Sequence, residues 1–189
     1  LWPTVVVDEH GTALGLVYSN LESLSEAIES GTGVYHSRKR GLWRKGESSG
    51  SVQQLLRVDM DCDRDALRFT VRQHGSGFCH EGTRSCWGEV EGLSSLLRTL
   101  ASRRHNAPAG SYTARLFDDH QLLADKLIEE AGELNAAVDP VHAAEEAADV
   151  LYFTFARMAR DGISLEQVEA VLSQRSKRVT RRSGNAKGR

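Results

Sequence analysis

A break in composition near residue 105 constrains this chain more than any other feature. Ahead of it lie most of the glycines, all three cysteines and all three tryptophans. Behind it the sequence turns Ala-, Glu- and Leu-rich with helical periodicity. A chain of 189 residues accommodates one ordinary domain or two small ones, and the break argues for two. We place the first over residues 1–104 and a linker over His105-Asn-Ala-Pro-Ala-Gly110, where turn-forming residues gather. The second then covers residues 111–182, with a tail at 183–189.

The first part reads as α+β with a mostly antiparallel sheet. Residues 4–7 and 13–18 flank His10-Gly11-Thr12 as a hairpin. Asn20 is placed to cap a helix over 21–30 that Gly31 would end. Residues 34–37, 53–60 and 66–73 are further strands, and 93–102 a helix leading into the linker. The second part reads as all-α. Leu123, Leu127, Ala131, Leu134 and Val138 recur at helical spacing, as do Ala144, Ala148, Leu151, Phe155 and Met158. A third helix over 165–178 is capped by Ser164, giving three or four packed helices.

Several classes are disfavoured early. No run approaches the ~18 uninterrupted apolar residues of a membrane span, and no charged-then-apolar leader opens the chain. The net charge of −2 argues against bulk nucleic acid as the main partner. Three clustered cysteines without an export signal favour a metal site over a disulfide framework and a cytoplasmic location.

Asp61-Cys62-Asp63-Arg64-Asp65 alternates carboxylates with other residues. If extended, it sets Asp61, Asp63 and Asp65 on one face and Cys62 on the other. Carboxylate oxygens suit magnesium and thiolate sulfur suits zinc. Cys79 and Cys86 follow, and three thiolates would fill three zinc positions and leave the fourth for water. His80 is then a proton shuttle for that water or a fourth ligand. Inert cysteines and an Asp-rich turn fit the same spacing.

Between residues 35 and 50 runs a basic stretch with Arg38, Lys39, Arg40, Arg44 and Lys45, with Trp43 among them and Glu47-Ser48-Ser49-Gly50 after. Its cations, hydroxyls and backbone N–H groups suit phosphate. A solvated basic loop is the plain alternative, and a zinc-dependent RNA-binding surface a weaker one.

In the second part Glu130 and Glu133 stand three apart, as do Glu146 and Asp149. Such pairs share a helix face, with Cβ atoms about 5–6 Å apart. Two such helices side by side could gather four carboxylates around Mg²⁺ that bridges to phosphates. A solvated acidic face is the alternative, and Glu129 and Glu145 leave open which glutamates take part.

The motifs Ser37-Arg-Lys-Arg40, Leu42-Trp-Arg-Lys-Gly-Glu-Ser-Ser-Gly50, Asp61-Cys-Asp-Arg-Asp-Ala66 and Cys79-His-Glu-Gly-Thr-Arg-Ser-Cys86 closely resemble phosphoribosyl-AMP cyclohydrolase over roughly residues 1–90. The resemblance implies zinc on Cys62, Cys79 and Cys86, and magnesium on Asp61, Asp63 and Asp65. It implies a homodimer whose zinc sites draw ligands from both subunits. The reaction would be hydrolytic opening of the adenine ring of N1-phosphoribosyl-AMP between N1 and C6. Arg38, Arg40, Trp43, Lys45, Glu47, Ser48 and Ser49 would bind substrate and His80 would serve catalysis. Trp87 departs from the Phe found after the last cysteine in many relatives.

Ser111-Tyr-Thr-Ala-Arg-Leu-Phe117, Lys126-Leu-Ile-Glu-Glu-Ala-Gly-Glu133 and Glu145-Glu-Ala-Ala-Asp-Val-Leu-Tyr152 resemble phosphoribosyl-ATP pyrophosphohydrolase, an all-α MazG-like family, over about residues 111–178. That resemblance implies cleavage between the α and β phosphates of phosphoribosyl-ATP. Glu130, Glu133, Glu146 and Asp149 would hold magnesium, with Glu130 and Glu133 the catalytic carboxylates. Lys126 would contact phosphate, with Arg175 a lesser candidate. A general nucleoside triphosphate pyrophosphohydrolase with a non-catalytic zinc domain is the rival reading. Stretches such as Gly11-Thr-Ala-Leu-Gly-Leu-Val-Tyr18 look like fungal versions, where both activities are commonly fused to histidinol dehydrogenase. The start at Leu1 accords with a piece of such a longer polypeptide.

Overall fold

A computed structural model describes residues 1–177; the expected tail at 183–189 and the end of the last helix at Arg178 lie outside the described residues. The chain divides into two compact units, residues 1–94 and 95–189.

In the first unit, β1 (Trp2–Asp8), β2 (Ala13–Ser19), β5 (Gln53–Met60) and β6 (Leu67–Gln73) form one sheet in the order β2-β1-β6-β5. β1 pairs antiparallel with β2 and parallel with β6, and β5 pairs antiparallel with β6. The sheet is therefore mixed, with one parallel pair in an otherwise antiparallel arrangement. β6 shows the reason for its placement: Leu67, Phe69 and Val71 are buried while Arg68 and Arg72 alternate outward, the two-residue period of a half-buried strand. α1 (Leu21–Ser30) starts in a capping box, with Asn20 Oδ1 accepting from the Ser23 N–H at 2.9 Å and Ser23 Oγ accepting from the Asn20 N–H at 3.0 Å. It ends at Gly31 in the left-handed conformation.

β3 (Val34–Ser37) and β4 (Gly41–Arg44) pair as a separate ribbon. The basic stretch is thus a hairpin, with Arg38, Lys39 and Arg40 exposed at its tip. Val6, Leu14, Ala27, Val34, Tyr35, Phe69 and Phe78 meet in the core of this unit. Gly15 permits this packing, because a Cβ there would lie 2.1 Å from the Phe78 ring.

The second unit holds α2 (Leu93–Asn106), α3 (Tyr112–Asp118), α4 (His120–Ala136), α5 (Pro140–Asp161) and α6 (Leu165–Ser176). The division falls ahead of the expected linker. α2 runs through Asn106, and its Leu100 packs with Leu116, Leu123, Phe153, Phe155, Ala156 and Met158. Its apolar side chains therefore belong to the helical core, although its composition resembles the first part. Asp139 caps α5, accepting from the N–H groups of Val141 and His142, with Pro140 at the first helical position.

The buried faces also depart from the expected stripes. Leu123 is buried and Leu127 partly so, but Ala131, Ala144 and Ala148 are exposed and Val138 is 91% exposed. Periodicity there predicts an apolar face that the described residues leave exposed.

Candidate metal centres

Residues 61–65 do not continue β5. They turn between β5 and β6, with Arg64 in the left-handed region at φ 65°. Asp61 Oδ1 accepts from the N–H groups of Asp65 (2.9 Å) and Ala66 (3.0 Å), the local bonding that draws Asp into turns. Of the two readings, strand or Asp-rich turn, the turn holds, since the Asp61 side chain closes it in place of the extended backbone. The turn nonetheless gathers the exposed carboxylates of Asp61, Asp63 and Asp65, with oxygens within 4.8 Å of one another. The Ala66 N–H leads in holding Asp61 below the ordinary carboxylate range, while its hydrogen bond to Asp61 leads in pushing Asp65 up.

Cys79 and Cys86 stand side by side on the loop after β6. A backbone N–H at Glu81 leads in holding Cys79 below the usual thiol value, with lesser help from Thr83 and Cys86. Desolvation around its sulfur and the neighbouring Cys79 push Cys86 up. Each thiol thus bears on the ionisation of the other. The exposed His80 has Nδ1 3.9 Å from the Cys79 sulfur. Cys62 is exposed on the aspartate turn. Among the described residues, no cysteine joins a group of three metal-ligating side chains, so this chain brings two of the three expected zinc ligands together.

The loop's shape comes from its backbone. Phe78 N–H donates to Arg84 O (3.0 Å), Cys79 N–H to Thr83 O (3.1 Å) and Cys86 N–H to Leu14 O (2.8 Å). Gly77, at φ 138°, is required because a Cβ there would sit 2.4 Å from the Thr83 oxygen.

The phosphate candidates are dispersed. Arg38 lies over the Tyr18 ring (5.1 Å) and Arg40 over Trp43 (5.5 Å), while Arg44 pairs with Glu26. Glu47, Ser48 and Ser49 are exposed on the turn after β4. Lys45 is buried, donates to the Ser51 carbonyl at 3.4 Å and lies 5.4 Å from the Phe78 ring centre. Burial lowers its pKa, and the Cys86 and Cys79 thiols oppose that shift.

A polar chain that sequence reasoning missed links β3, β5 and β6. Tyr35 donates to Gln53 Oε1 (2.6 Å), Gln53 Nε2 to Gln73 Oε1 (2.8 Å), and Gln73 Nε2 to the carbonyls of Ser51, Val52 and His74. Burial drives the Tyr35 hydroxyl far above its ordinary value. Glutamines inside strands offer no spacing signal, so nothing in the sequence singled them out.

In the second unit the carboxylates converge within one chain. Glu130 on α4 and Glu146 and Asp149 on α5 bring oxygens within 4.8 Å of one another. Glu130 is 5% exposed. Glu133 is exposed yet close enough to act on Glu146, whose pKa is raised by desolvation first and then by the Glu133 charge. Glu146 Oε1 meets His142 Nε2 at 3.1 Å, while Oε2 is buried without a hydrogen-bond partner. A desolvated carboxylate oxygen beside two others carries an electrostatic penalty that a cation removes. His142 was not anticipated, although its place four residues before Glu146 is a readable signal.

Lys126 Nζ lies 2.7 Å from Glu130 and 2.9 Å from Glu129, and 5.6 Å from the Phe153 ring centre. These carboxylates raise its pKa, Glu130 foremost. A Cβ on Gly132 would meet nothing within 4 Å, so close helix packing in this chain does not explain that residue. Arg175 lines an apolar groove of ≈ 350 Å³ with Ile163, Val168 and Leu172, none of them members of the carboxylate cluster.

Comparison with known proteins agrees with the two-unit division. Residues 15–88 match the family model of phosphoribosyl-AMP cyclohydrolase, and residues 93–176 that of phosphoribosyl-ATP pyrophosphohydrolase. The second match begins at the first residue of α2. The chain is 53% identical over its whole length to a histidine biosynthesis trifunctional protein of Neurospora crassa, of which it spans 22%. It is 52% identical over 99% of its length to the histidine biosynthesis bifunctional protein his7 of Schizosaccharomyces pombe, of which it spans 45%. It is 36% identical to the histidine biosynthesis bifunctional protein HisIE of Parasynechococcus marenigrum, with 87% of this chain and 84% of the relative covered. The chain thus spans less than half the length of these fungal relatives and most of the bacterial one.

Proposed function

We propose, from the premise that this chain belongs to the histidine biosynthesis bifunctional family, which joins a phosphoribosyl-AMP cyclohydrolase domain to a phosphoribosyl-ATP pyrophosphohydrolase domain, that it performs both hydrolyses in succession. The helical unit cleaves phosphoribosyl-ATP between its α and β phosphates. The α+β unit then opens the adenine ring of the resulting phosphoribosyl-AMP at N1–C6. Free cysteines accord with a reducing compartment such as the cytoplasm.

One observation carries the reading: Glu130, Glu146 and Asp149 converge, with a buried, unpartnered oxygen on Glu146. Clustered oxygen donors suit Mg²⁺, and Glu133 beside Glu146 completes the set of four. Magnesium would neutralise the triphosphate, and zinc would make bound water acidic near pH ~7. Lys126, already held against Glu130, offers its ammonium to the phosphates from the rim of the cluster. In the first unit Cys79 and Cys86 fit half of a zinc site, and Cys62 of a second copy would supply the third thiolate. Asp61, Asp63 and Asp65 fit a second magnesium. His80, beside Cys79 and open to solvent, is placed to carry the proton of the attacking water. Arg38, Arg40, Trp43, Lys45, Glu47, Ser48 and Ser49 would hold the substrate's phosphate and ribose.

The test is to incubate the chain with phosphoribosyl-ATP, Zn²⁺ and Mg²⁺ and resolve the products by ion exchange. Wild type gives the ring-opened nucleotide, Cys79→Ser accumulates phosphoribosyl-AMP, and Glu130→Gln leaves the triphosphate uncut. Ring opening that survives Cys79→Ser, or triphosphate cleavage that survives Glu130→Gln, would remove the corresponding half of the assignment.

A further inference from the structure

The cysteine loop is anchored by a buried ion pair that none of its thiols touches. Arg84, two residues before Cys86, places Nη2 3.0 Å from Asp8 Oδ2 at the end of β1. Asp8 is fully buried, and the Arg84 side chain is 22% exposed. The other Asp8 oxygen accepts from the N–H groups of His10 (3.0 Å) and Thr12 (2.9 Å) in the β1–β2 turn. One carboxylate thus ties that turn to the loop carrying Cys79 and Cys86. Two further bonds lay the loop along the start of β2: Ser85 Oγ donates to Ala13 O at 3.0 Å and Cys86 N–H to Leu14 O at 2.8 Å.

A charge at the end of an apolar strand is costly to bury without a partner. This carboxylate remains in its charged form despite desolvation, because Arg84 and the two backbone N–H groups favour the anion. The guanidinium also has a directional requirement that a generic loop contact lacks. Arg84 O accepts from the Phe78 N–H, so the residue whose side chain is fixed by Asp8 has its backbone fixed to the residue before Cys79. Displacing Arg84 would move both ends of the Cys79–Cys86 loop.

We propose that Asp8 and Arg84 are positioning residues for metal binding, setting the separation of the Cys79 and Cys86 sulfurs from outside the ligand set. The inference rests on the zinc reading above. Groups that orient ligands without binding metal typically change affinity by about 10–100-fold when removed. Asp8→Asn keeps an oxygen for the His10 and Thr12 N–H groups and removes the negative charge that faces Arg84.

The test is a Co²⁺ titration of the full chain, followed by thiolate-to-cobalt charge-transfer absorption, with thermal unfolding in chelator run in parallel. The expected result is a band in wild type that Cys79→Ser loses, and about tenfold weaker Co²⁺ binding in folded Asp8→Asn. Arg84→Lys, which keeps the charge but not the planar fork, should fall between them. It also serves as the deciding variant if Asp8→Asn does not fold. Co²⁺ affinity unchanged in the folded variants, whatever their thermal stability, would overturn the positioning role and leave the zinc reading intact. Absence of the band from wild type would sink the zinc reading, and this inference with it.

Discussion

The two units assemble their candidate ligand sets by different means. On α4 and α5 the carboxylates stand three apart, so helical geometry alone sets Glu130 beside Glu133 and Glu146 beside Asp149. Packing the two helices then closes the cluster inside one chain. The α+β unit has no such periodic rule. Cys62 sits on the β5–β6 turn, while Cys79 and Cys86 share a loop closed by backbone hydrogen bonds and the Asp8–Arg84 pair. Two helices can complete a site from local spacing plus one packing contact. Loops need a separate anchor for each side chain, and here they leave the Cys62 thiol apart from those of Cys79 and Cys86.

The largest expected effect tests that self-sufficiency. Asp149→Asn should remove several kcal/mol of transition-state stabilisation from pyrophosphate release and leave ring opening of added phosphoribosyl-AMP at the wild-type rate. A product assay run separately on the two substrates checks it. Loss of both activities together would mean that the units do not hold independent sites.

Mixing sharpens the other side of the comparison. Cys62→Ser and Cys79→Ser are each expected to lack ring opening. If each zinc site draws Cys62 from one subunit and Cys79 with Cys86 from the other, random reassortment makes half the dimers mixed, each with one intact site. Mixing should then restore about a quarter of the wild-type rate in a two-fold dimer. No recovery after confirmed subunit exchange would place all three thiolates in one subunit.

Leu123→Ala addresses stability. Leu123 is fully buried in the helical core, so truncation should cost about 2–5 kcal/mol. Denaturant unfolding should show the loss in the helical transition, with the first unit's transition unmoved. A shift of both would join the units energetically.

The smallest effect is that of pH on the first unit. Because its folded pKa is depressed, Asp8 contributes stability that is fully present above the ordinary aspartate value of ~3.9. That contribution is lost as the pH falls below it and through the folded value. Acid unfolding of wild type should therefore carry a stability loss in that window that Asp8→Asn lacks. The exposed cluster at Asp61, Asp63 and Asp65 should contribute far less, since water screens it.

The limits of sequence reasoning follow the same division. The Asn20 and Gly31 helix boundaries were legible because capping is local chemistry. For the aspartate segment alternation left strand and turn open, and Asp61 decides for the turn by capturing the backbone N–H groups of Asp65 and Ala66. α2 was assigned to the wrong part because its composition continues that of the first unit, while its core partners come later in the chain.

The sequence by itself determined the two-part organisation, the type of most elements and the identity of the ligand candidates. Each of these depends on composition, period or nearest-neighbour bonding, and all of them act within a few residues. Only the tertiary structure decided which strands pair in parallel, which unit α2 joins and which helix faces are covered. It also decided that Glu146 keeps an unpartnered oxygen and that Asp8 meets Arg84 across 76 residues of chain. Contacts between distant residues depend on how the elements pack, and no local pattern encodes a partner that far away.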